Sequence, residues 1–314
     1  MLSRVADSLY WMSRYLERAE HTARVIDVHL NLMLDEDPSA TDRRWARVIS
    51  TLGLGENPAA QGDMFAYAQA HGFDHISACI MQARENARQV REQISSEMWE
   101  QLNRVFLEVR RMATSDVWDA QPLDFLQTIK DSSHLFQGIT DSTMNHGEGW
   151  QFIQVGRYLE RAAATAKLLD IHFHDFLELE DQSMNSTAHM EWIGLLRSCT
   201  AFEAYCKVYT ADLRADWTAE FLLLNSEFPH SIRFAVEQME QSLEAIHETT
   251  SSKRSGRVAK LAGRLRSELS FTPLEEIMSG LSVFLEDIRS QCTQIHAAVN
   301  QVYITYPIEA ALES

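Results

Sequence analysis

The fold is decided by two related stretches, RYLERAEHTARVIDVH at Arg14–His29 and RYLERAAATAKLLDIH at Arg157–His172. They are identical at ten of their sixteen positions, at a constant offset of 143 residues. A duplicated helix needs its apolar residues repeated because they face the core, but its surface charges are under no such requirement. The repeated Arg-x-x-Glu-Arg cluster therefore requires an explanation of its own.

Apolar residues in and around both stretches recur three and four positions apart, which predicts amphipathic helices with a coiled-coil-like seam. The first helix is expected to end near Pro38, because proline and the preceding acidic residues fit a loop. The seam positions are Leu2, Val5, Leu9, Met12, Leu16, Ala19, Ala23, Ile26, Leu30 and Met33 in the first helix, and Phe152, Val155, Leu159, Ala162, Ala166, Leu169, Phe173 and Phe176 in the second.

The internal similarity extends beyond these helices. Trp45 corresponds to Trp192, and the apolar series within 76–90 matches that within 232–246 at an offset of 156, so insertions fall in loops. Strand signals are weak throughout. The sequence predicts an all-α fold: an internally duplicated, pseudo-twofold helical bundle whose repeats, 1–142 and 143–314, pack as one unit. Loops are expected at 35–42, 52–62, 115–123, 144–149, 180–187, 225–230, 250–256 and 270–274.

Composition excludes several classes of protein. The 314 residues include 28 basic and 45 acidic side chains, a net charge of −17, which disfavours binding to nucleic acid or to an anionic membrane. No stretch is apolar enough for a signal peptide or a membrane span, so we expect a cytoplasmic protein. The four cysteines form no C-x-x-C pair and suit buried thiols. Nucleotide-binding motifs are absent, and Glu244-x-x-His247 lacks the further ligands of a di-iron site, so no cofactor or metal is expected on this chain.

The charged cluster lies on the face of the first helix opposite the seam, together with Tyr10, Trp11 and Val25. Both helices are therefore expected to be buried on two sides, with their charges paired. One interpretation is that Arg14–Glu17 and Arg157–Glu160 are pairs within each helix that fasten the two halves. The other is that the two clusters meet across a pseudo-twofold axis and line a cleft for a polar ligand or a partner's tail.

The second interpretation makes a geometric prediction. The helices that start near residues 2 and 147 should lie side by side, antiparallel or crossed, with Glu17, Arg18, Glu160 and Arg161 in one network. A cavity should open beside that network and be reached from a surface that carries Arg84 and Arg88.

This second surface belongs to ARENARQVREQISSEMWEQLN, Ala83–Asn103, which we interpret as part of one long helix. At the 156-residue offset Arg84, Asn86 and Arg88 become Glu240, Ser242 and Glu244, which indicates a basic surface specific to the first half. A solvated face on which Glu85 and Glu92 pair locally remains the alternative. His146, in the loop HGEGW, is either a functional histidine or a residue of a capping turn.

The stretches LSRVADSLYWMSRYLERAEHTAR, ARENARQVREQISSEMWEQLN and TMNHGEGWQFIQVGRYLERA resemble the bacterial alpha-E family of all-helical proteins, over essentially the whole chain. Members of that family are typically encoded beside, or fused to, a circularly permuted ATP-grasp amidoligase, often with a transglutaminase-like cysteine peptidase nearby. The resemblance implies a role in making or handling a short peptide or peptide tag. The positions that it implicates are Arg14, Glu17, Arg18, Arg84, Glu85, Asn86, Arg88, Trp99, His146, Trp150, Arg157, Glu160 and Arg161.

Three functional hypotheses follow. In the first, the chain is an accessory subunit that binds the amidoligase or its peptide, with ATP and Mg²⁺ held by the ligase. In the second, it is an enzyme acting on an amide, aminoacyl or peptide substrate, with Glu17 or Glu160 as general base and His146 as a further catalytic candidate. Flanking arginines disfavour this, because they lower a carboxylate's pKa. In the third, the protein is purely structural. The oligomeric state is left open.

Overall fold

The computed structural model describes residues 1–33, 38–55, 63–113, 121–176, 186–210, 212–250 and 255–305, and within these ranges the chain forms thirteen α-helices and no strand. The prediction of an all-α fold is confirmed. No helix in the described ranges combines the length and the apolar character that crossing a membrane requires.

The helices follow one another with short connections. In chain order they are α1 (Ser3–Leu32), α2 (Pro38–Leu52), α3 (Met64–Gln89), α4 (Ser96–Ala113), α5 (Pro122–Thr143), α6 (Glu148–Phe176), α7 (Ser186–Ser198), α8 (Phe202–Tyr209), α9 (Ala215–Leu224), α10 (Ile232–Thr250), α11 (Ser255–Phe271), α12 (Leu274–Ser279) and α13 (Leu281–Val299), which a π-helical turn at Asn300–Ile304 extends.

The two longest helices, α1 and α6, pack against each other at the centre of the molecule. Helix α1 also contacts α3 and α5, and helix α6 also contacts α10 and α13. Both helices are therefore covered on more than one side, as the apolar residues opposite each seam predict. Tyr10 and Val25 of α1 are fully buried, as are the seam residues Leu9 and Met12. In α6 every seam residue from Phe152 to Phe173 is buried, while the side chain of Phe176 lies outside the described part of the chain.

Helices α1 and α6 run in the same direction. The amino group of Met1 forms an ion pair with Glu148 at 2.8 Å, and further along the helices Arg14 reaches Glu160. Residues 143 positions apart therefore lie opposite each other along the pair. The prediction that the helices lie side by side is confirmed, whereas of the two expected arrangements, antiparallel or crossed, the antiparallel one is wrong.

The two helices approach closely at Ser13 and Gly156, which are themselves 143 positions apart. A Cβ atom built on Gly156 would lie far inside van der Waals contact with the Ser13 hydroxyl and with the backbone carbonyl oxygen of Tyr10. Only a residue without a Cβ allows the two backbones to come this close. This contact fixes the separation of the helices at the level of the charged clusters.

The expected helix at Ala83–Asn103 is two helices. Helix α3 ends at Gln89, and α4 begins at Ser96 after the side chain of Ser95 accepts a hydrogen bond from the backbone N–H of Met98. A serine that caps a helix in this way is a start signal, and it allows the chain to turn so that α4 packs back on α3. This turn was not predicted, because the arginines follow helical spacing without a break.

Helix α2 begins at Pro38, inside the loop expected at 35–42, because proline suits the first position of a helix. The expected loop at 225–230 coincides with the connection between α9 and α10, and the one at 270–274 with that between α11 and α12. The non-helical residues at 199–201, 210 and 212–214 were not predicted. The expected loop segments 35–37, 56–62, 115–120, 180–185 and 251–254 lie outside the described residues.

We expect Gly156→Ala to lower the free energy of unfolding by about 1–3 kcal/mol, because the added methyl group forces the α1 and α6 backbones apart. Urea unfolding followed by circular dichroism measures the change. The matched control is Gly138→Ala in α5, where a Cβ meets nothing within 4 Å. That substitution should raise the stability by up to about 1 kcal/mol, since alanine is the better helix former. If both substitutions change the free energy of unfolding equally, the close approach of α1 and α6 at Gly156 is contradicted.

Candidate functional site

The two Arg-x-x-Glu-Arg clusters meet and exchange partners across the α1–α6 pair. The carboxylate of Glu160, on α6, binds Arg14 at 2.7 Å and Arg18 at 2.6 Å, both on α1. The carboxylate of Glu17, on α1, binds Arg161 at 2.5 Å and lies 3.9 Å from Arg157, both on α6. Each glutamate is thus neutralised by the arginines of the opposite helix. We call these six residues the exchange network.

The parallel arrangement explains this exchange. Because residues 143 apart lie opposite each other, Glu17 and Glu160 face the same level of the pair, and the arginines on either side of each glutamate reach across it. The interpretation that Arg14–Glu17 and Arg157–Glu160 are pairs within each helix is wrong. The geometric prediction that Glu17, Arg18, Glu160 and Arg161 meet in one place is confirmed.

Both glutamates are buried, with 3% of the Glu17 side chain and 10% of the Glu160 side chain exposed. Burial by itself raises the pKa of a carboxyl group, but the arginines outweigh it. The net pKa of Glu17 is lowered by Arg161 and Arg157, and that of Glu160 by Arg14 and Arg18. Both carboxylates are therefore ionised at neutral pH and have low basicity.

Each half of the exchange network has a neutral polar neighbour. Arg14 contacts Nδ1 of His296 at 2.9 Å, and Arg157 donates to the side-chain oxygen of Gln137 at 2.8 Å. Burial, together with the positive charge of Arg14, lowers the pKa of His296 to about 4, so the ring is neutral at pH 7. His296 was not recognised from the sequence, because a single histidine in an amphipathic helix carries no distinguishing signal.

Further ion pairs join distant helices. Glu191 of α7 accepts from Arg44 at 2.5 Å and from Arg47 at 2.8 Å, both on α2. Asp27 of α1 binds Lys130 of α5 at 2.6 Å. These pairs were missed from the sequence because their members are separated by more than a hundred residues and share no motif.

A first pocket, of about 450 Å³, opens on the Glu17 side of the exchange network, between α1, α5, α6 and α10. Its walls combine apolar side chains with amide and charged groups. The Trp150 Nε1–H and the Arg157 Nε–H at this pocket are buried and have no hydrogen-bond acceptor. The nearest carboxylate oxygen to Arg157 Nε, from Glu17, is at 3.9 Å and out of hydrogen-bond range. Other lining residues include Leu16, Phe136, Gln137, Asp141, Ile153, Gln154 and Tyr158.

A second pocket, of about 580 Å³, opens on the Glu160 side, between α1, α2, α3, α6 and α13. Its charged lining residues are Arg18, Lys167, Arg289, Glu160 and Glu286. The prediction of a cavity beside the network is therefore confirmed, and there are two of them. The sequence did not single out Lys167 or Arg289.

The predicted basic surface lies elsewhere. Arg84, Glu85, Asn86 and Arg88 line neither pocket, so the expectation that the cavity is reached from this surface is wrong. Helix α3 reaches the second pocket through His75, and Arg84 lies nine residues further along the helix, about 13 Å away.

The side chains of this surface are engaged with each other and with α4. Arg84 donates to Asn103 at 2.6 Å and lies over the Trp99 and Phe106 rings. Arg88 pairs with Glu85 at 2.6 Å on the exposed face. Asn86 donates to the backbone of Gln82. The local pairing of Glu85 agrees with the solvated-face alternative.

His146 lies before α6, where its ring stacks on Trp150 with centroids 4.2 Å apart. Its Nε2 is 2.9 Å from the backbone oxygen of Asp141, and the side chain is half exposed. This position holds the Trp150 ring at the edge of the first pocket. His146 itself is not among the residues that line that pocket.

Thiols and metal ligands add no second centre within the described residues. No group of three or more His, Cys, Asp or Glu side chains there is close enough to hold a metal ion. All four cysteines are free, and burial raises the pKa of the Cys79, Cys199 and Cys292 thiols to about 12. These three thiols are protonated at neutral pH and poor nucleophiles.

We expect Glu17→Gln to lower the free energy of unfolding at pH 7 by about 3–5 kcal/mol, since it leaves the buried Arg161 without a counter-charge. A carboxyl group with a lowered pKa stabilises the fold above its unfolded pKa of about 4.5, and this stabilisation is lost as the pH falls further. The difference between wild type and variant should therefore shrink in urea titrations below pH 4.5. Glu85→Gln, which breaks an exposed pair, is the control and should change nothing measurable. If Glu17→Gln lowers the free energy of unfolding no more than Glu85→Gln does, the description of Glu17 and Arg161 as a buried ion pair between the helices is wrong.

His296 gives a second pH prediction. Because its pKa is about 4 in the fold and about 6.5 when unfolded, the unfolded state takes up the proton first. Stability should therefore be lost as the pH falls from about 6.5 toward 4. His296→Gln replaces the histidine by the residue type found at position 137. In this variant the thermal-unfolding midpoint should change less with pH between about 6.5 and 4. Identical pH profiles for wild type and variant would rule out a His296 that stays neutral in the folded state down to about pH 4.

The whole chain is similar to one known protein family. The model of the Alpha-E family, described as a predicted alpha-helical domain with a conserved ER motif, matches residues 1–304. Two uncharacterized proteins, from Mycobacterium bovis and Mycobacterium tuberculosis, are each 23% identical to this chain over 340 aligned residues. The alignments cover 94% of this chain but 37% of each relative, so the chain spans little more than a third of their length. No solved structure matches.

The sequence contains the dipeptide Glu-Arg twice, at Glu17–Arg18 and at Glu160–Arg161. The motif named in the family description therefore falls within the exchange network. With the family model matched over all but the last ten residues, the chain belongs to the Alpha-E family.

Proposed function

We propose that this chain is a non-catalytic accessory subunit of an ATP-grasp amidoligase system, in which it binds and positions a peptide segment. The amidoligase is the circularly permuted enzyme that the family resemblance implies, and it would hold ATP and Mg²⁺. A transglutaminase-like peptidase is a further proposed partner, and the system is proposed to work in the cytoplasm. The proposal involves no nucleic acid and no membrane.

The state of the two glutamates supports a binding role over a catalytic one. A general base that works near neutral pH needs a pKa close to that pH and a lone pair directed at the substrate. Glu17 and Glu160 instead have lowered pKa values and are bound by arginines of the opposite helix. They resemble structural carboxylates, and the enzyme hypothesis loses its two main candidates.

The observation that carries the proposal is the pair of unpaired donors at the first pocket. Buried N–H groups are almost always hydrogen-bonded, so the Trp150 Nε1–H and the Arg157 Nε–H call for acceptors from a bound molecule. A peptide supplies such acceptors as backbone carbonyls, and its N–H groups can donate to Glu17, Gln137 or Gln154. The apolar walls suit a side chain of the same peptide. A volume of about 450 Å³ fits a segment of a few residues.

We further propose that the bundle consists of two copies of one unit, 1–142 and 143–314, related by a pseudo-twofold axis parallel to α1 and α6. Several contacts recur between corresponding helices. Asp27 of α1 binds Lys130 of α5, and Asp170 of α6 lies 3.7 Å from Arg289 of α13. Together with the exchange network, this recurrence supports duplication of a whole helical unit.

The proposal predicts that the tagged chain co-purifies with an ATP-grasp amidoligase encoded beside it and lowers the peptide concentration needed for half-maximal ATP turnover. Trp150→Phe keeps the aromatic ring and removes the N–H. Loss of one buried hydrogen bond of about 1 kcal/mol should raise the required peptide concentration roughly fivefold. Phosphate release measured against peptide concentration gives this value.

Trp217→Phe is the matched control, because Trp217 belongs to α9 and lines neither pocket. It should leave the peptide dependence unchanged. The proposal fails if the chain neither associates with the ligase nor alters its turnover. If the chain stimulates turnover but Trp150→Phe behaves like Trp217→Phe, the accessory role stands and the first pocket is not the peptide site.

A further inference from the structure

The charged lining of the second pocket contains more cations than anions, although the protein as a whole is acidic. Arg18, Lys167 and Arg289 line it together with the acidic Glu160 and Glu286. Arg18 is bound to Glu160, and Arg289 is bound to Glu286 at 2.6 Å. Lys167 remains, and within the described residues its ammonium group has no hydrogen bond and no ion pair.

The corresponding position on α1 shows what a paired cation looks like in the same setting. Arg24 precedes Lys167 by 143 residues, and its guanidinium is bound to Glu20 one turn earlier. On α6 the residue 143 positions after Glu20 is Ala163, so the counter-charge is absent while the cation remains. On α1 a glutamate one turn earlier therefore neutralises the cation, whereas α6 has no glutamate at the corresponding position.

Small side chains lie beside Lys167. Ala163 and Ala164, which correspond to Glu20 and His21 of α1, both line the second pocket. His21 itself lines the same pocket from α1. The missing counter-charge of Lys167 and the small side chains next to it thus occur at the same two positions of α6.

Uncharged donors complete the surroundings. His75 of α3 lines the pocket, and its Nε2 is buried without a hydrogen-bond partner. Burial, followed by the positive charge of Arg18, lowers the pKa of His75, so the ring is neutral near pH 7. Thr51, Thr293 and Gln294 also line the pocket. The Thr293 hydroxyl donates to the backbone oxygen of Arg289 at 3.0 Å. The His75 ring, the Thr51 hydroxyl and the Gln294 amide can donate hydrogen bonds to oxygen without adding charge.

We propose that the second pocket is a binding site for an oxyanion group, a phosphate or a carboxylate carried by a small molecule, with Lys167 as its principal charge partner. An unpaired, half-buried ammonium group forms strong charge-assisted hydrogen bonds with such oxygens. Arg289 and Arg18 add positive potential from opposite sides. The volume of about 580 Å³ exceeds that of a bare ion and leaves room for the molecule that carries the group.

This site goes beyond the proposed peptide role and requires neither the ligase nor the first pocket. Its test uses the full chain alone, so the two proposals succeed or fail separately. Inorganic phosphate, acetate and chloride are titrated at matched ionic strength, with thermal midpoints and isothermal calorimetry as readouts. Phosphate or acetate should raise the midpoint and bind saturably with one site per chain, whereas chloride should not. The stronger of the two identifies the ligand as a phosphate or a carboxylate.

Two substitutions test the assignment of Lys167. Lys167→Met removes the charge, and Ala163→Glu installs the partner that Arg24 has on α1. Each should weaken oxyanion binding at least tenfold, the loss expected for one charge-assisted hydrogen bond of about 1.5 kcal/mol or more. Lys207→Met and Ala70→Glu, at exposed positions outside the pocket, match the two charge changes and should bind as the wild type does.

The proposal is overturned if phosphate and acetate act no more strongly than chloride, or if Lys167→Met binds as tightly as Lys207→Met. If Lys167→Met does not fold, Ala163→Glu decides on its own, because it adds a side chain to open space and retains every native contact of the lysine stem. Undiminished binding by a folded Ala163→Glu variant overturns the site.

Discussion

Two glutamates, each bound by arginines of the other helix, hold the centre of this bundle together. Four guanidinium groups and two carboxylates would be poorly tolerated between packed helices if any member lacked a partner. Their exchange is possible because α1 and α6 run parallel and in register, and because Gly156 lets the backbones approach at that level. The remaining helices pack around this pair: α3 and α5 against α1, and α10 and α13 against α6. Position, direction and spacing of the central helices thus depend on this polar arrangement at the centre of the bundle.

The network is nearly symmetric, but its surroundings are not. On the Glu17 side the pocket walls are aromatic and amide-rich, with Trp150 and Asp141 at the edge. On the Glu160 side they are cationic, with Lys167 and Arg289. Ala163 and Ala164 leave room beside Lys167 on the Glu160 side. A rigid shared frame with divergent pockets allows the two sides to differ in ligand without disturbing the packing on which both depend.

Much of the architecture was predictable from the sequence because it depends on local periodicity. The seam of α1 and α6 and the burial of their second face followed from residue spacing alone. The repetition of charges allowed two interpretations, pairs within each helix or clusters that meet, and only the structure decides for the second. The direction of the pair did not follow, since an amphipathic pattern reads the same for parallel and antiparallel partners. The turn at Val90–Ser95 was hidden because Ser95 caps α4 in the middle of continuous helical spacing.

The pockets were harder to predict for a different reason. Each is lined by four or five helices that are distant in sequence, and residues such as His75, Lys167 and Arg289 come together only through tertiary packing. One signal in the sequence was usable. Arg24 has Glu20 one turn earlier, whereas the corresponding Lys167 has Ala163 at that position and so lacks a counter-charge there. The basic surface around Arg84 misled because spacing identifies a common face of a helix but not its neighbours, and here α4 covers much of that face.

The pairing of α1 with α6 has a property that follows from the motif that both helices carry. A helix bearing Arg-x-x-Glu-Arg supplies both the carboxylate and the guanidinium groups that its partner needs, so the surface is complementary to itself. Such isologous surfaces are the kind that join identical subunits about a twofold axis. The chemistry of the interface would be the same if the two helices belonged to separate molecules. The covalent connection between them makes this contact independent of protein concentration, and it allows the two sides to evolve separately.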